Sequence, residues 1–224
     1  MFRSATIATE GASSIVGVFG GTFDPVHQGH LRTVAAVRNR LAMDKVLFIP
    51  TFMPLLRDKP VAAPQQRLEM VRIAVQSFPG FELDEREIIR SGPSYTVLTL
   101  EELRSEYPRV PLCLILGLDA FLTLPQWHRW SELLELAHMA LMQRPGWQMP
   151  GEPLPDWWTR ALSDHPKQLI CRPAGRILPV EVPDVDISST VLRDRLRTGL
   201  PVGEDLPAGV QQYIEDNRLY GYGG

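Results

Sequence analysis

The sequence has little cysteine. Its two cysteines, Cys113 and Cys171, lie far apart and show no CxxC or zinc-site spacing. Small secreted domains held by disulfides carry several cysteines at short spacings, so the chain does not fit that class. We therefore expect neither a disulfide framework nor a cysteine metal site, and a reducing cytoplasm as the compartment.

An excess of positive charge and a long apolar run are also missing. The chain has 23 Lys and Arg against 26 Asp and Glu, for a formal net charge of -3. Polymeric nucleic acid and anionic membranes are bound largely through basic surfaces. The longest strongly apolar stretch, residues 112–118, ends at Asp119 and is far shorter than the ~20 residues that cross a bilayer. The sequence thus predicts no binding to polymeric nucleic acid and no membrane span.

The composition is that of an ordinary globular chain, with 224 residues of which 44% are hydrophobic. Residues 1–14 are small and polar without a signal-peptide run, and they predict a disordered leader. We expect residues 15–224 to form a single domain, in which the Pro- and Gly-rich residues 144–156 form a loop or insertion. The sequence leaves the oligomeric state open, a homo-oligomer included.

Apolar periodicity predicts strands that alternate with helices. The expected strands cover residues 15–19, 45–49, 112–116, 138–142, 168–171 and 177–180; the expected helices cover residues 31–41, 65–78, 95–107, parts of 119–137, 188–198 and 208–217. Parallel strands need crossover helices and read as unbroken apolar runs. The pattern therefore predicts an α/β fold with a doubly wound, mostly parallel sheet and a small helical portion at the C-terminus.

The segment GGTFDPVHQGH, residues 20–30, lies between the first predicted strand and the first predicted helix. In an open α/β sheet this is the carboxyl edge, where ligands bind. Glycines let the backbone approach a phosphate, and the helix start offers free N–H groups to an anion. Two imidazoles three residues apart, His27 and His30, can point at the same anion. The segment is neither a Walker loop nor a GxGxxG fingerprint, which argues against a redox enzyme with a dinucleotide cofactor.

At these residues the chain resembles the nucleotidyltransferase superfamily with the signature Gly-x-Phe-Asp-Pro-x-His-x-Gly-His. The matching residues are Gly21, Phe23, Asp24, Pro25, His27, Gly29 and His30. That superfamily has a Ser/Thr-rich helix start followed by an Arg late in the chain, and residues 187–193 (ISSTVLR) have this form. The resemblance implies a Rossmann-like nucleotidyltransferase fold.

More of the chain, from about residue 16 to residue 220, resembles the bacterial nicotinate-nucleotide adenylyltransferase family. The supporting segments are PSYT at 93–96, GLD at 117–119, LPQWHRW at 124–130 and QRP at 143–145. This resemblance implies transfer of AMP from ATP to nicotinate mononucleotide in NAD biosynthesis. Mg²⁺ is expected to arrive with the ATP, and we see no protein cage for a metal.

The resemblance implies three catalytic residues. His30 would stabilise the α-phosphate, His27 would hold the triphosphate beside it, and Arg193 would contact the β- or γ-phosphate. Both imidazoles gain if partly protonated. The ATP-binding residues implied are Gly20, Gly21, Thr22, Phe23, Gly117, Asp119, Ser188, Ser189 and Thr190.

For the acceptor nucleotide, the resemblance implies stacking by Trp127 on the pyridine ring and contacts to its carboxylate from the His128 amide and Thr96, with Arg57 nearby. Helix capping is the structural alternative for Thr96, Asp119 and the serines at 188–189, and Asp24 fits a cap or turn. Structural roles are also expected elsewhere: a solvated edge for residues 84–87, a core strand for Cys113, and a helix packed on the sheet for Trp157 and Trp158.

The chain departs from the family after the second predicted strand, where the family usually has Pro-Asn-x-x-Pro-Pro-His-Lys/Arg. Here residues 50–57 read PTFMPLLR, so the Asn and the Pro-His are absent while Pro54 and Arg57 remain. This apolar loop suggests a lid that folds down on substrate. Three alternatives stay open: nicotinamide mononucleotide or phosphopantetheine as acceptor, a weakened acceptor site, and a nucleotide-binding module without turnover.

Overall fold

The computed structural model describes residues 14–56, 58–143 and 155–223. The predicted leader, residues 1–14, falls outside the described residues except for Ser14. Most of the predicted loop at 144–156, and also Arg57, lie outside them as well. Among the described residues, no helix has the length and apolar character needed to span a bilayer.

Six strands and ten α-helices make up most of the described chain. The strands are β1 (Val16–Gly21), β2 (Lys45–Pro50), β3 (Phe81–Leu83), β4 (Leu112–Gly117), β5 (His138–Gln143) and β6 (Ile177–Glu181). The helices are α1 (Gln28–Arg40), α2 (Pro64–Val75), α3 (Arg86–Arg90), α4 (Thr96–Glu106), α5 (Leu118–Leu122), α6 (Leu133–Leu136), α7 (Asp156–Ala161), α8 (Lys167–Ile170), α9 (Ser189–Arg197) and α10 (Ala208–Asp216). Short 3₁₀ turns occur at Leu124–Gln126, Trp130–Glu132, Gly203–Asp205 and Leu219–Gly221.

The strands form one sheet in the order β3-β2-β1-β4-β5-β6, and every pairing is parallel. The chain moves outward from β1 to β3, crosses over, and moves outward again from β4 to β6. The direction reverses between β1 and β4, which pair with Val18 beside Leu114. This reversal is the position where open parallel sheets bind ligands. The doubly wound, mostly parallel α/β fold is thus confirmed.

The sheet separates two apolar cores, because successive side chains of a strand point to opposite faces. In β4, Cys113 and Ile115 belong to one core. Leu112, Leu114 and Leu116 belong to the other. Burial on both faces explains why these strands read as continuous apolar runs, and it confirms a core strand for Cys113.

Two short elements and one strand assignment differ from the sequence prediction. β3 and α3 are only three and five residues long, too short to show a period. The strand predicted at 168–171 is wrong, since Lys167–Ile170 form helix α8 after Pro166. Proline at a helix start supplies a fitting φ and lacks an N–H that would be unpaired there. The prediction for Trp157 and Trp158 is confirmed, because both lie in α7 and Trp158 is buried in the core.

Candidate active site

Residues 20–27 comprise the last two residues of β1 and the turn that leads to α1; they lie at the reversal point of the sheet and are called the phosphate loop below. The carboxyl end of β4 lies beside it, where Gly117 is followed by Asp119 in the first turn of α5. A Cβ added at Gly117 would meet no atom within 4 Å. The predicted ATP residues of β1 and β4 therefore lie side by side at the edge of the sheet where open α/β folds form a binding crevice.

Two other segments hold the carbonyl oxygens of Gly21 and Thr22 in the phosphate loop. The Thr51 amide donates to Gly21 O at 2.9 Å, and Arg67 Nη1 donates to Thr22 O at 2.7 Å. A planar trans peptide directs its C=O and the next N–H in opposite directions. The N–H groups of Thr22 and Phe23 therefore point away from these donors. Backbone N–H groups free to face outward are what an anion cradle requires.

The two histidines meet at the start of α1. His27 is the N-cap residue, and its backbone N–H donates to Nδ1 of His30 at 3.3 Å. Their rings are stacked, with centroids 3.7 Å apart. A Cβ at Gly29 would lie 2.9 Å from Nδ1 of His27, which is closer than real contacts allow. Gly29 thus gives the His27 ring room against the first helical turn.

The environment of His27 contradicts one expectation. The residue is 5% exposed, and burial lowers the pKa of its imidazole to about 4. Near pH 7 His27 is therefore neutral, not partly protonated as the sequence suggested. Its Nδ1 atom is buried and has no hydrogen-bond partner among the described residues.

The Phe23 side chain packs against both His30 and Gly21. Its backbone has a φ of 50°, and its side chain is 2% exposed. The Phe23 ring packs edge-on against His30, with centroids 5.3 Å apart, and lies over Gly21, where a Cβ would come within 2.9 Å of the ring. The Phe23 side chain thus positions its neighbours, and a contact with ATP would have to come from its backbone.

Asp24 has the structural role that the sequence allowed. Its buried carboxylate accepts hydrogen bonds from the amides of Val61 (2.7 Å) and Ala62 (3.1 Å) and from the Tyr220 hydroxyl (2.9 Å). These partners come from the loop before α2 and from the C-terminal segment. Asp24 therefore joins three distant parts of the chain behind the phosphate loop.

The start of α9 reaches the same loop. Ser188 is its N-cap residue but makes no side-chain capping bond. Ser189 Oγ donates to Pro25 O at 3.2 Å, whereas Arg193 donates to Asp24 O at 2.8 Å and to Thr190 Oγ1 at 3.3 Å. The structure thus brings the residues of the ISSTVLR segment to the phosphate loop, and side-chain capping does not account for Ser188.

The predicted acceptor residues come from three segments. Ser94 Oγ accepts the N–H groups of Phe52 at 2.9 Å and Met53 at 3.4 Å, so the loop after β2 lies beside the PSYT segment. The rings of Tyr95 and His128 are 4.3 Å apart. Tyr95 is the N-cap of α4, so the capping alternative for Thr96 is wrong. Gly117 is likewise the N-cap of α5, in place of Asp119.

Trp127, one of the predicted acceptor residues, is half-buried. It packs against the apolar core on the face of the sheet that α4 covers. Arg57, the remaining acceptor residue, lies outside the described residues. Within the described ranges, no three His, Cys, Asp or Glu side chains are grouped so that they could hold a metal ion.

The sequence matches the family described as Cytidylyltransferase-like over residues 18–195. It is 46% identical over 209 residues to a probable nicotinate-nucleotide adenylyltransferase of Halorhodospira halophila, covering 92% of this chain and 95% of the relative. A protein of the same name from Methylococcus capsulatus is 45% identical over 208 residues, covering 92% and 99%. The chain belongs to the nicotinate-nucleotide adenylyltransferase family. It is therefore a nucleotidyltransferase, as the sequence predicted.

Among solved structures, the nicotinic acid mononucleotide adenylyltransferase of Plasmodium falciparum complexed with NaAD has a TM-score of 0.69 with this family member. The two chains are 15% identical, and the match covers 93% of this chain and 98% of that one. At this identity the likeness supports the fold alone.

Two residues of this adenylyltransferase that hold the site together were not found from the sequence. Arg67 is completely buried, and besides Thr22 O its guanidinium donates to Phe52 O at 3.1 Å and to Ala62 O at 3.3 Å. The available signal was an arginine on the apolar stripe of α2, in register with Met70 and Ala74. Tyr220 gave no such signal, because its partner Asp24 is remote in sequence.

The solvated edge predicted for residues 84–87 is wrong at Glu87. This side chain is 6% exposed and accepts a hydrogen bond from Thr99 Oγ1 at 2.6 Å. Burial raises the pKa of its carboxyl, and hydrogen bonding and the nearby Arg90 oppose that rise only in part. Glu87 and Ile88 are the buried residues of α3, whereas the apolar Ile89 is 77% exposed, so the inward face of this short helix does not follow from residue polarity.

Proposed function

We propose that this chain transfers the adenylyl group of ATP to nicotinate mononucleotide, with deamido-NAD and pyrophosphate as products. An oxygen of the nucleotide's 5′-phosphate attacks the α-phosphorus of ATP, and the bond to the β-phosphate oxygen breaks as pyrophosphate leaves. The attacking phosphate is already an anion, so no protein nucleophile is required. Positioning and neutralisation of charge must supply the catalysis.

The observation that carries this proposal is the convergence of His27, His30 and Arg193 on the phosphate loop at the sheet's reversal point. In this scheme His30 stabilises the α-phosphate as charge develops. His27, neutral near pH 7, acts as a hydrogen-bonding group on the triphosphate and not as a cation. Arg193 is already oriented by Asp24 O and Thr190, and it contacts the β- or γ-phosphate.

The other ATP contacts are assigned by position around the crevice. Backbone N–H groups at Thr22 and Phe23 serve as phosphate donors, and the glycines of β1 permit close approach. Asp119, at the carboxyl end of β4, accepts a hydrogen bond from the ribose. Ser189 and Thr190 complete the triphosphate side at the start of α9.

The acceptor is assigned to the neighbouring segments. Trp127 stacks on the pyridine ring, and the His128 amide and the Thr96 hydroxyl bind its carboxylate. Their proximity is supported by the ring contact between Tyr95 and His128. Arg57 would neutralise acceptor charge from the loop after β2.

Nucleotidyltransfer generally uses a divalent metal, and we propose Mg²⁺ that enters with ATP as part of the substrate. A largely hydrated, phosphate-bound Mg²⁺ needs few protein ligands, and Asp119, in the first turn of α5 directly after β4, would be a candidate ligand. We also propose the cytoplasm as the compartment, because Cys113 and the exposed Cys171 are both free thiols.

One observation in the loop after β2 favours nicotinamide mononucleotide, the amide form, as a second acceptor. Thr51 stands where the family usually has Asn, and its Oγ1 is buried without a hydrogen-bond partner in the described part of the chain. The shorter Thr51 side chain offers one hydroxyl where Asn would offer a carboxamide, so the amide's contact to the ligand is lost unless this hydroxyl or a water replaces it. Losing one hydrogen bond to a charged ligand group costs about 1.5–3 kcal/mol, or roughly ten- to a hundredfold in affinity. This loss would weaken discrimination between the acid and the amide nucleotide.

The deciding experiment measures pyrophosphate release with ATP and Mg²⁺ and, separately, nicotinate mononucleotide, nicotinamide mononucleotide or phosphopantetheine. A preference of at least tenfold in kcat/KM for nicotinate mononucleotide supports the proposal. Preference for another acceptor keeps the adenylyl transfer but refutes the assignment of Thr96, Trp127 and His128. ATP binding without turnover on any acceptor would favour a nucleotide-binding module.

A further inference from the structure

The C-terminal segment reaches the back of the phosphate loop through Tyr220. Tyr220 has a φ of 58° and a ψ of 22°, and its neighbours Arg218 and Gly221 also have positive φ values, 48° and 76°. A bulky residue with positive φ is strained and persists only where its surroundings fix it. Here the ring is 7% exposed within the core, and the hydroxyl donates to Asp24 Oδ1 at 2.9 Å.

The same oxygen of Asp24 accepts the N–H of Ala62, while the other carboxylate oxygen accepts the N–H of Val61. Val61 and Ala62 form the end of the loop that runs from β2 to α2. The start of that loop is held differently, by Thr51 N on Gly21 O and by Phe52 N on Ser94 Oγ. Asp24 therefore fixes only the returning end of the loop against the phosphate loop.

The hydroxyl of Tyr220 is suited to hold this carboxylate in one orientation. Burial, together with the negative charge of Asp24, raises the pKa of the phenol, so the group stays protonated and donates across the physiological range. Its other neighbour, Met70 Sδ at 3.9 Å, is a weak acceptor. The hydroxyl thus has one strong acceptor, Asp24.

We propose that Tyr220 is a positioning residue for the acceptor nucleotide: through Asp24 it fixes Val61 and Ala62, and with them the returning end of the loop between β2 and α2. This inference rests on the proposed function, which assigns that loop to the acceptor. The ATP side depends less on Tyr220. Carbonyl groups of the phosphate loop remain held by Thr51, Arg67, Arg193 and Ser189 when the phenol is absent.

Tyr220→Phe tests the proposal because it removes the hydroxyl and keeps the ring. The matched control is Tyr222→Phe, which removes a hydroxyl from the same segment; that hydroxyl bonds to Glu215 and not to Asp24. The first measurement is amide hydrogen exchange at Val61 and Ala62 in the ligand-free full chain. We expect about tenfold faster exchange in Tyr220→Phe and unchanged exchange in Tyr222→Phe.

The second measurement is steady-state kinetics with ATP and nicotinate mononucleotide. We expect Tyr220→Phe to raise the KM of the acceptor about tenfold and to leave the KM of ATP within about twofold. A merely structural role would lower the active fraction, and so the apparent kcat, without separating the two KM values. Control kinetics should match the unmodified chain.

Unchanged exchange at both amides overturns the proposal, whatever the kinetics show. Faster exchange with an unchanged acceptor KM also overturns it, since the hydrogen bond would then be structural only. If the unmodified chain does not use nicotinate mononucleotide, the proposed function fails, and the positioning of the acceptor by Tyr220 fails with it. In that case the exchange result still establishes whether Tyr220 holds the loop.

Discussion

The imidazole rings of His27 and His30 are stacked 3.7 Å apart at the start of α1. Two positive charges at this distance would repel strongly in a partly buried site. The structure avoids that conflict by burying His27, whose lowered pKa keeps its ring neutral. The His27 ring is therefore neutral near pH 7, which the spacing of the two histidines in the sequence did not indicate.

Replacing His30 tests the assignment of the α-phosphate contact. His30→Ala should lower kcat by about a hundredfold or more, because a group that stabilises charge developing in the transition state is lost. Pyrophosphate release under saturating ATP and acceptor measures this, and thermal unfolding checks the fold. Near-normal turnover in a folded variant would remove His30 from the catalytic residues.

Gly29→Ala tests whether activity depends on the position of the His27 ring and not on the stability of helix α1. The added Cβ would lie 2.9 Å from His27 Nδ1 and 3.4 Å from Ile187 Cβ, so the imidazole must move. We expect kcat to fall at least about tenfold, since misplaced catalytic groups are costly. Alanine favours helix over glycine by about 1 kcal/mol, so the melting temperature should not fall.

Ala36→Gly in α1 is the matched control, with the opposite result: lower stability and unchanged kcat. A parallel loss of stability and activity in Gly29→Ala would contradict this explanation.

The lowered pKa of His27 predicts how stability depends on pH. Below pH 6.5 the unfolded chain binds a proton at this residue, whereas the folded chain does not until about pH 4. Stability should therefore fall as the pH is lowered from 6.5 toward 4, by up to about 3 kcal/mol from this residue alone.

Urea unfolding at pH 4.5, 5.5 and 7 should show a shallower decline for His27→Gln. His138, whose pKa is also lowered by burial, contributes equally to both proteins and cancels in the comparison. Identical pH slopes would show that His27 is not buried as a neutral ring.

The sheet was predictable because its buried strands and amphipathic helices each carry a local signal. β4 reads as five apolar residues in a row, and α1 places Leu31, Val34 and Val37 on one face. Short elements such as β3 and α8 have no period to detect, and their conformation depends on pairing and on Pro166.

The arrangement of the candidate site was predictable where a motif is contiguous, and not where contacts are long-range. His27, His30 and the start of α9 were found from the sequence because each lies within one short segment. Arg67 and Tyr220 act on the phosphate loop from 45 and 196 residues away, through Thr22 and Asp24. Such contacts follow from the tertiary fold, and a single sequence does not encode them in any local pattern.

Glu87 supplies a prediction in which removing a charge stabilises the protein. Burial raises the pKa of this carboxyl, so desolvation outweighs the help from Thr99 and from Arg90, which lies 4.0 Å away. A raised folded pKa means that the folded state holds the proton to a higher pH than the unfolded state does, so this group costs stability as the pH rises toward 7.

Glu87→Gln keeps an oxygen that can accept from the Thr99 hydroxyl and removes the buried charge. It should equal or exceed the unmodified chain in stability at pH 7, with the difference shrinking at pH 4. Glu87→Ala, which leaves the hydroxyl without this acceptor, should lose about 1–3 kcal/mol at pH 7. Urea unfolding of the three proteins at both pH values gives the comparison. A Gln variant that is less stable at pH 7 than at pH 4, relative to the unmodified chain, would mean that the ion pair with Arg90 dominates.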